Sequence, residues 1–170
     1  MNRRLDWTIV PVVTLALVML VLAAPAAVAK DVTYSFTLFG PQTATDGTET
    51  ISVSGGGSFD FTAGQVVASG SFKITNNSNG AVVSKGTWSA TAFDSFCSRG
   101  GPSSSVQGGV LVMRVTLFPN GGTPITDVTM TVTCLVGNGC SAVAEGVTLA
   151  GSVGNFTTAV RGATLFHLNE

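Results

Sequence analysis

One feature restricts this chain more than any other: an alternation of apolar and polar side chains that restarts repeatedly between glycine-rich breaks. In Val32-Thr33-Tyr34-Ser35-Phe36-Thr37-Leu38 every second residue is apolar. Leu111, Met113, Val115 and Leu117 point one way while Arg114 points the other. Val128, Met130, Val132 and Cys134 alternate with Thr129, Thr131 and Thr133. Successive side chains of an extended strand point to opposite faces, so each run predicts a half-buried strand.

The breaks carry turn chemistry. Gly40-Pro41 and Asp46-Gly47 mark a loop, and Ala63-Gly64-Gln65 a hairpin turn. Asn76-Asn77-Ser78-Asn79-Gly80 is the clearest turn of all. Strands are predicted over 32–38, around Ile51-Ser52-Val53-Ser54, and over 66–75, 81–93, 109–118, 127–136, 147–149 and 156–168. Residues 94–108 read as the longest loop. Gly55-Gly56-Gly57 interrupts a strand pattern that Phe59 and Phe61 resume with the same parity, which predicts a bulge or a sharp bend. Gly57-Ser58-Phe59-Asp60-Phe61-Thr62 resembles Gly70-Ser71-Phe72-Lys73-Ile74-Thr75, as two adjacent strands using one local solution would. Phe72 and Ile74 are expected on one face, and Val82 with Trp88 on another.

These segments make about seven to nine short strands and no helix, the pattern of an antiparallel β-barrel or β-sandwich. All 21 glycines fall after residue 29, and Gly, Thr and Val all disfavour helix relative to Ala, Leu or Glu. The reading is all-β, a single domain over residues 30–170, with a barrel slightly favoured because closure removes exposed edges.

The first 29 residues read differently. Arg3 and Arg4 precede a long apolar stretch that ends in Ala23-Ala24-Pro25-Ala26-Ala27-Val28-Ala29. Basic, then apolar, then small at alternating positions is the layout of a secretory signal peptide, with cleavage before Lys30 or, alternatively, after Ala26. The run is also long enough to span a bilayer if retained. The expected destination is secreted or otherwise extracytoplasmic, with no membrane attachment after cleavage.

Charge excludes some partners. Charged residues are 10% of the chain and the formal net charge is −1. No basic patch is available to follow a phosphate backbone or an anionic lipid surface, so nucleic acid is not an expected partner.

The cysteines number 3: Cys97, Cys134 and Cys140. In an exported chain that allows one internal disulfide and one remaining thiol. Cys134 and Cys140 flank a turn-like Leu135-Val136-Gly137-Asn138-Gly139, so they are the preferred pair, leaving Cys97 as the free thiol. Cys97 can also pair with either of them. The Arg99 cation close to Cys97 would favour a reactive thiolate. Three cysteines and one histidine do not make a zinc ligand set, and no metal or cofactor is expected.

Chemistry-bearing residues are few. His167, the only histidine, sits near the C-terminus, and no G-x-S-x-G elbow accompanies it. Asp60, Asp94, Asp127 and Glu145 are the carboxylates best placed for a site, with Asp60 and Asp127 on one barrel face as the pairing a glycosidase would need. The Thr129, Thr131 and Thr133 row fits the solvated face of any strand. Asn76-Asn77-Ser78 and Asn155-Phe156-Thr157 match the glycosylation pattern, Asn76 being the more exposed by expectation. Phe59, Phe61, Phe72 and Trp88, if they face inward, form either a filled core or the wall of an apolar ligand cavity.

The functional expectation is a noncatalytic secreted β-domain that binds a protein, a polymer or a small apolar ligand. The alternatives are a barrel enzyme of hydrolase or lyase class using carboxylates at its mouth, and a self-associating surface or matrix subunit. Oligomeric state does not follow from the sequence.

Overall fold

The alternating runs become strands, and ten strands pair antiparallel in one sheet. This computed structural model describes residues 32–103, 105–140 and 144–169, and the expected leader, residues 1–29, lies outside them. In chain order the strands are β1 (Thr33–Thr45), β2 (Glu49–Asp60), β3 (Gln65–Asn76), β4 (Val82–Gly100), β5 (Val106–Pro119), β6 (Ile125–Cys134), β7 (Gly146–Gly151), β8 (Gly154–Phe156), β9 (Thr158–Arg161) and β10 (Thr164–Asn169).

Strands β1 to β8 pair with their sequence neighbours as a meander. β10 lies along β1 from Thr33↔Asn169 to Leu38↔Thr164, and it also meets β5 at Phe166↔Gln107 and His167↔Val106. The path β1-β2-β3-β4-β5-β10 therefore returns to β1. β9 pairs with the other half of β1, at Ala44↔Ala159 and Thr45↔Thr158. The ring is partial: β10 meets β5 only at Phe166↔Gln107 and His167↔Val106, and β3 and β4 stop pairing at Ser69↔Ser89.

A meander places alternate turns at opposite ends. The turns after β2, β4 and β6 share one end with Asp60, and the turns after β1, β3, β5 and β7 share the other with Asp46. Inside lies one apolar core, in which Trp88, Phe36, Phe59, Phe156, Phe166 and Leu111 are all at most 2% exposed. Each such side chain contributes roughly 1.5–3 kcal/mol on leaving water. Val128, Met130, Val132 and Cys134 face inward together, as do Phe72 and Ile74.

Glycines let this sheet coil tightly. The Gly55-Gly56-Gly57 run does not bulge against β3, where the register is continuous from Glu49↔Asn76 to Asp60↔Gln65. Instead the neighbouring backbones press in: a Cβ on Gly57 would stand 2.3 Å from the Val67 carbonyl oxygen. Gly70 plays a different part. It lies opposite Trp88, whose indole Nε1 reaches across β3 to donate to the Ser54 carbonyl at 3.0 Å. A side chain at Gly70 would occupy that crossing.

Bulges explain where alternation misleads. Gly40-Pro41 sits inside β1, where the register against β2 shifts between Leu38 and Gln42. The buried Gln42 amide donates to the carbonyls of Phe39, Gly40 and Ala163, satisfying backbone that the bulge unpairs. Within β4 the register shifts between Ala90 and Ala92 and between Phe93 and Ser95, so inward positions run Trp88, Ala90, Phe93, Phe96. An inward residue every third position does not read as a strand. For this reason most of the loop expected over 94–108 is in fact strand, β4 to Gly100 and β5 from Val106. A further shift beside Thr75 separates Val82 from the Trp88 face, leaving Val82 53% exposed. The expected strand over 156–168 is divided among the end of β8, β9 and β10.

Candidate functional site

The residues proposed for chemistry are scattered, and most have structural work. The Asp60 carboxylate accepts from the Ala63 N–H at 2.7 Å and caps the β2–β3 turn. Asp127 lies near the start of β6, at the opposite end of the sheet, so the two acids do not meet at one mouth. Asp127 adopts φ 58°, a left-handed backbone that Asp tolerates better than most residues, and its carboxylate accepts from the Thr126 hydroxyl. Asp94 pairs with Arg114 at 3.0 Å on the outer surface. Glu145 ties two segments together: Leu135, just past the end of β6, and Thr164, at the start of β10, both donate backbone N–H groups to it, at 2.7 and 2.9 Å. His167 is a half-buried strand residue opposite Ser35 and Val106. Among the described residues no three His, Cys, Asp or Glu side chains gather to hold a metal ion.

Of the four aromatic candidates, three are core. Phe59, Phe72 and Trp88 are 2%, 3% and 1% exposed. Phe61, expected to continue the Phe59 face, is 50% exposed, because β2 ends at Asp60 and Phe61 opens the turn. It does not stand alone. Phe61 meets Phe93 edge to face, with ring centroids 6.5 Å apart, and Phe93 stacks on Phe59 at 5.9 Å. Phe59 in turn stacks with Tyr34 at 5.2 Å and packs against Phe96 and Phe166. Burial holds the Tyr34 hydroxyl above its ordinary pKa. Rings in such tilted and offset contacts attract one another beyond simple burial.

This aromatic chain leads from the core to the surface where β3 and β4 part. Beyond Ser69↔Ser89 the two strands diverge and leave a cleft of about 380 Å³, lined by Gly64, Gln65, Val66, Val67, Thr91, Ala92 and Phe93. The lining holds no charged side chain, and Val67 is 77% exposed. The Asn76–Gly80 turn and the β5–β6 turn border two further depressions at the opposite end, neither lined by an aromatic ring. The sequence places Phe93 at the end of the expected strand 81–93, but strict alternation from Trp88 does not turn it inward; the bulge between Ala90 and Ala92 does, and the cleft escaped sequence reasoning with it.

The three cysteines form a second group, at the same end as Asp60. All are free thiols. Cys134 points into the core at 0% exposure, so the preferred pairing with Cys140 is not what this fold brings together. Cys140 instead lies against Cys97 on the outer surface, its thiol donating to the Cys97 carbonyl at 3.0 Å. Burial pushes the Cys134 thiol pKa up. Burial, then the hydrogen bond and charge of Cys97, push Cys140 up to about 11. Of the two glycosylation-pattern asparagines, Asn155 is exposed, whereas Asn76 is half-buried with its side-chain oxygen accepting from the Ser78 N–H and hydroxyl.

No protein family, no characterised protein and no solved structure matches the chain.

Proposed function

We propose that this chain is an exported, noncatalytic β-domain, a small barrel with a filled core, that binds a neutral apolar small molecule in the cleft between β3 and β4. The observation that carries the reading is the surface aromatic pair Phe61 and Phe93 beside a cleft without charge. Binding sites for small molecules are concave, mostly apolar, and fixed by a few polar groups. Here Gln65 and Thr91 supply the polar groups, and Val66, Val67 and Phe93 the apolar walls. The cleft of about 380 Å³ suits a ligand of one to three rings. Export rests on the signal-like layout of residues 1–29. The separation of Asp60 from Asp127 leaves the carboxylate-enzyme alternative without a paired site.

The test uses protein recovered from the medium of cells expressing the full chain, titrated with the neutral dye N-phenyl-1-naphthylamine. Saturable fluorescence enhancement is expected. It should weaken at least fivefold in Phe61→Ala and in Val67→Lys, both at exposed positions, with unchanged thermal unfolding. Absence of saturable binding, or equal binding by both variants, overturns the proposal, as does concentration-dependent self-association in place of dye binding. N-terminal sequencing should begin at Lys30, and an intact leader on the recovered protein overturns export by cleavage.

A further inference from the structure

We propose that Cys97 and Cys140 are a redox-active pair that closes into a disulfide on exposure to a low-molecular-weight disulfide, while Cys134 remains a thiol. The argument begins with the faces of the sheet. Phe96 and Cys134 point inward, which sends Cys97 outward, at the position where β4 pairs with Val110 of β5. Cys97 is exposed and Cys140 partly so, and the Cys140 thiol donates to the Cys97 carbonyl at 3.0 Å.

The segment carrying Cys140 is held in place over Cys97. The N–H groups of Asn138 and Gly139 both donate to the Arg99 carbonyl, at 2.9 and 3.0 Å. The Arg99 guanidinium donates back to the carbonyls of Gly137 and Cys140. Gly137, at φ 73°, allows the tight approach, since a Cβ there would stand 2.1 Å from the Arg99 carbonyl oxygen. Four hydrogen bonds to one arginine residue thus fix the Cys140 segment against the end of β4. Two thiols held together in this way have a high effective concentration for each other.

The chemistry balances with glutathione disulfide as oxidant. Cys97, the exposed thiol, loses its proton to solvent and attacks one glutathione sulfur. A mixed disulfide forms on Cys97 and one glutathione thiolate leaves. The Cys140 thiolate then attacks the Cys97 sulfur and releases the second glutathione. Two protein thiols lose two electrons, and one small disulfide becomes two thiols. Because the Cys140 thiol is held up near 11, the second step should quicken as pH rises.

The test treats the recovered protein with glutathione disulfide at pH 8, blocks remaining thiols with iodoacetamide after denaturation, and maps the peptides by mass spectrometry. Expected is one Cys97–Cys140 cross-linked peptide, with Cys134 alkylated and no retained glutathione. Cys140→Ser should instead keep glutathione on Cys97, and Cys97→Ser should form no intramolecular bridge. A bridge that includes Cys134, or wild-type protein that keeps glutathione on Cys97 without resolving it, overturns the proposal. Both substitutions are at solvent-accessible positions, and unfolding followed by Trp88 fluorescence checks that each variant is folded.

Discussion

Replacing Gly70 by alanine should cost far more than the size of a methyl group suggests. A Cβ at this position would stand 1.8 Å from the Ser54 carbonyl oxygen, 2.6 Å from the Trp88 indole nitrogen and 2.8 Å from the Gly55 Cα. Two of those atoms are backbone and cannot swing aside. Relief requires β2 and β3 to separate or the indole to leave its place. Overpacking of this kind costs roughly 1–3 kcal/mol. Displacing the indole also strands a buried N–H donor, at about 1–3 kcal/mol. Lower entropy of the unfolded chain returns about 0.4–1 kcal/mol. The net expectation is a loss of about 2–5 kcal/mol, a large part of the roughly 5–15 kcal/mol available to a typical domain. For a domain of this size that lowers Tm by on the order of 10 °C.

The readout is built in. Of the 2 tryptophans, Trp7 lies in the segment proposed to be cleaved, so Trp88 alone would report on a chain that begins at Lys30. Denaturant titrations followed by its emission should show a lower midpoint in Gly70→Ala, and the native emission should shift toward that of solvated indole. Gly80→Ala is the control. Gly80 has φ 70° with nothing within 4 Å of its Cβ position, so only the left-handed backbone, about 1–2 kcal/mol, is charged to it. If Gly70→Ala proves no more destabilising than Gly80→Ala, the steric argument for the indole crossing is refuted.

Asp46 should make stability fall in acid. Its carboxylate accepts from the Glu49 N–H and from the Thr48 hydroxyl and N–H, which hold its pKa below the ordinary value near 3.8. A lowered folded pKa means a contribution present above 3.8 and lost as pH falls through the folded value, so the Tm difference between wild type and Asp46→Ala should shrink toward zero in that window. Glu145→Ala removes two charge-assisted bonds to backbone donors just past β6 and at the start of β10, and should cost about 2–4 kcal/mol in urea unfolding. Glu145→Gln keeps one acceptor and should cost roughly half as much. Asp94→Asn breaks only an ion pair whose partners are 50% and 36% exposed, and should change stability by less than about 1 kcal/mol, measured by the same titration.

How much was legible depends on whether local pattern and global register agree. In β5 and β6 they do. Leu111, Met113, Val115 and Leu117, and Val128 to Cys134, alternate without interruption, and all are buried as their period of two requires. In β4 they do not. One extra residue in a strand flips every later side chain to the other face, so the bulge near Thr91 turned Phe93 inward against the alternation from Trp88, and the bulge near Asp94 hid Phe96 among residues that read as loop. The candidate cleft depends on Phe93, and it was illegible for the same reason.

The cysteines show the same division. Proximity in sequence favours Cys134 with Cys140, since short loops close easily. The sheet decides otherwise, because Cys134 is committed to the inner face by the alternation of β6 while Cys97 is turned outward by Phe96. By itself, then, the sequence determined the all-β class, the clearest turns and which faces of the regular strands are apolar, because period and turn chemistry are local. Only the tertiary structure decided where the ring meets itself at β10, where β3 and β4 part, and which thiols and rings become neighbours. Those outcomes depend on bulge positions and on pairings between residues distant in the chain, which no local period records.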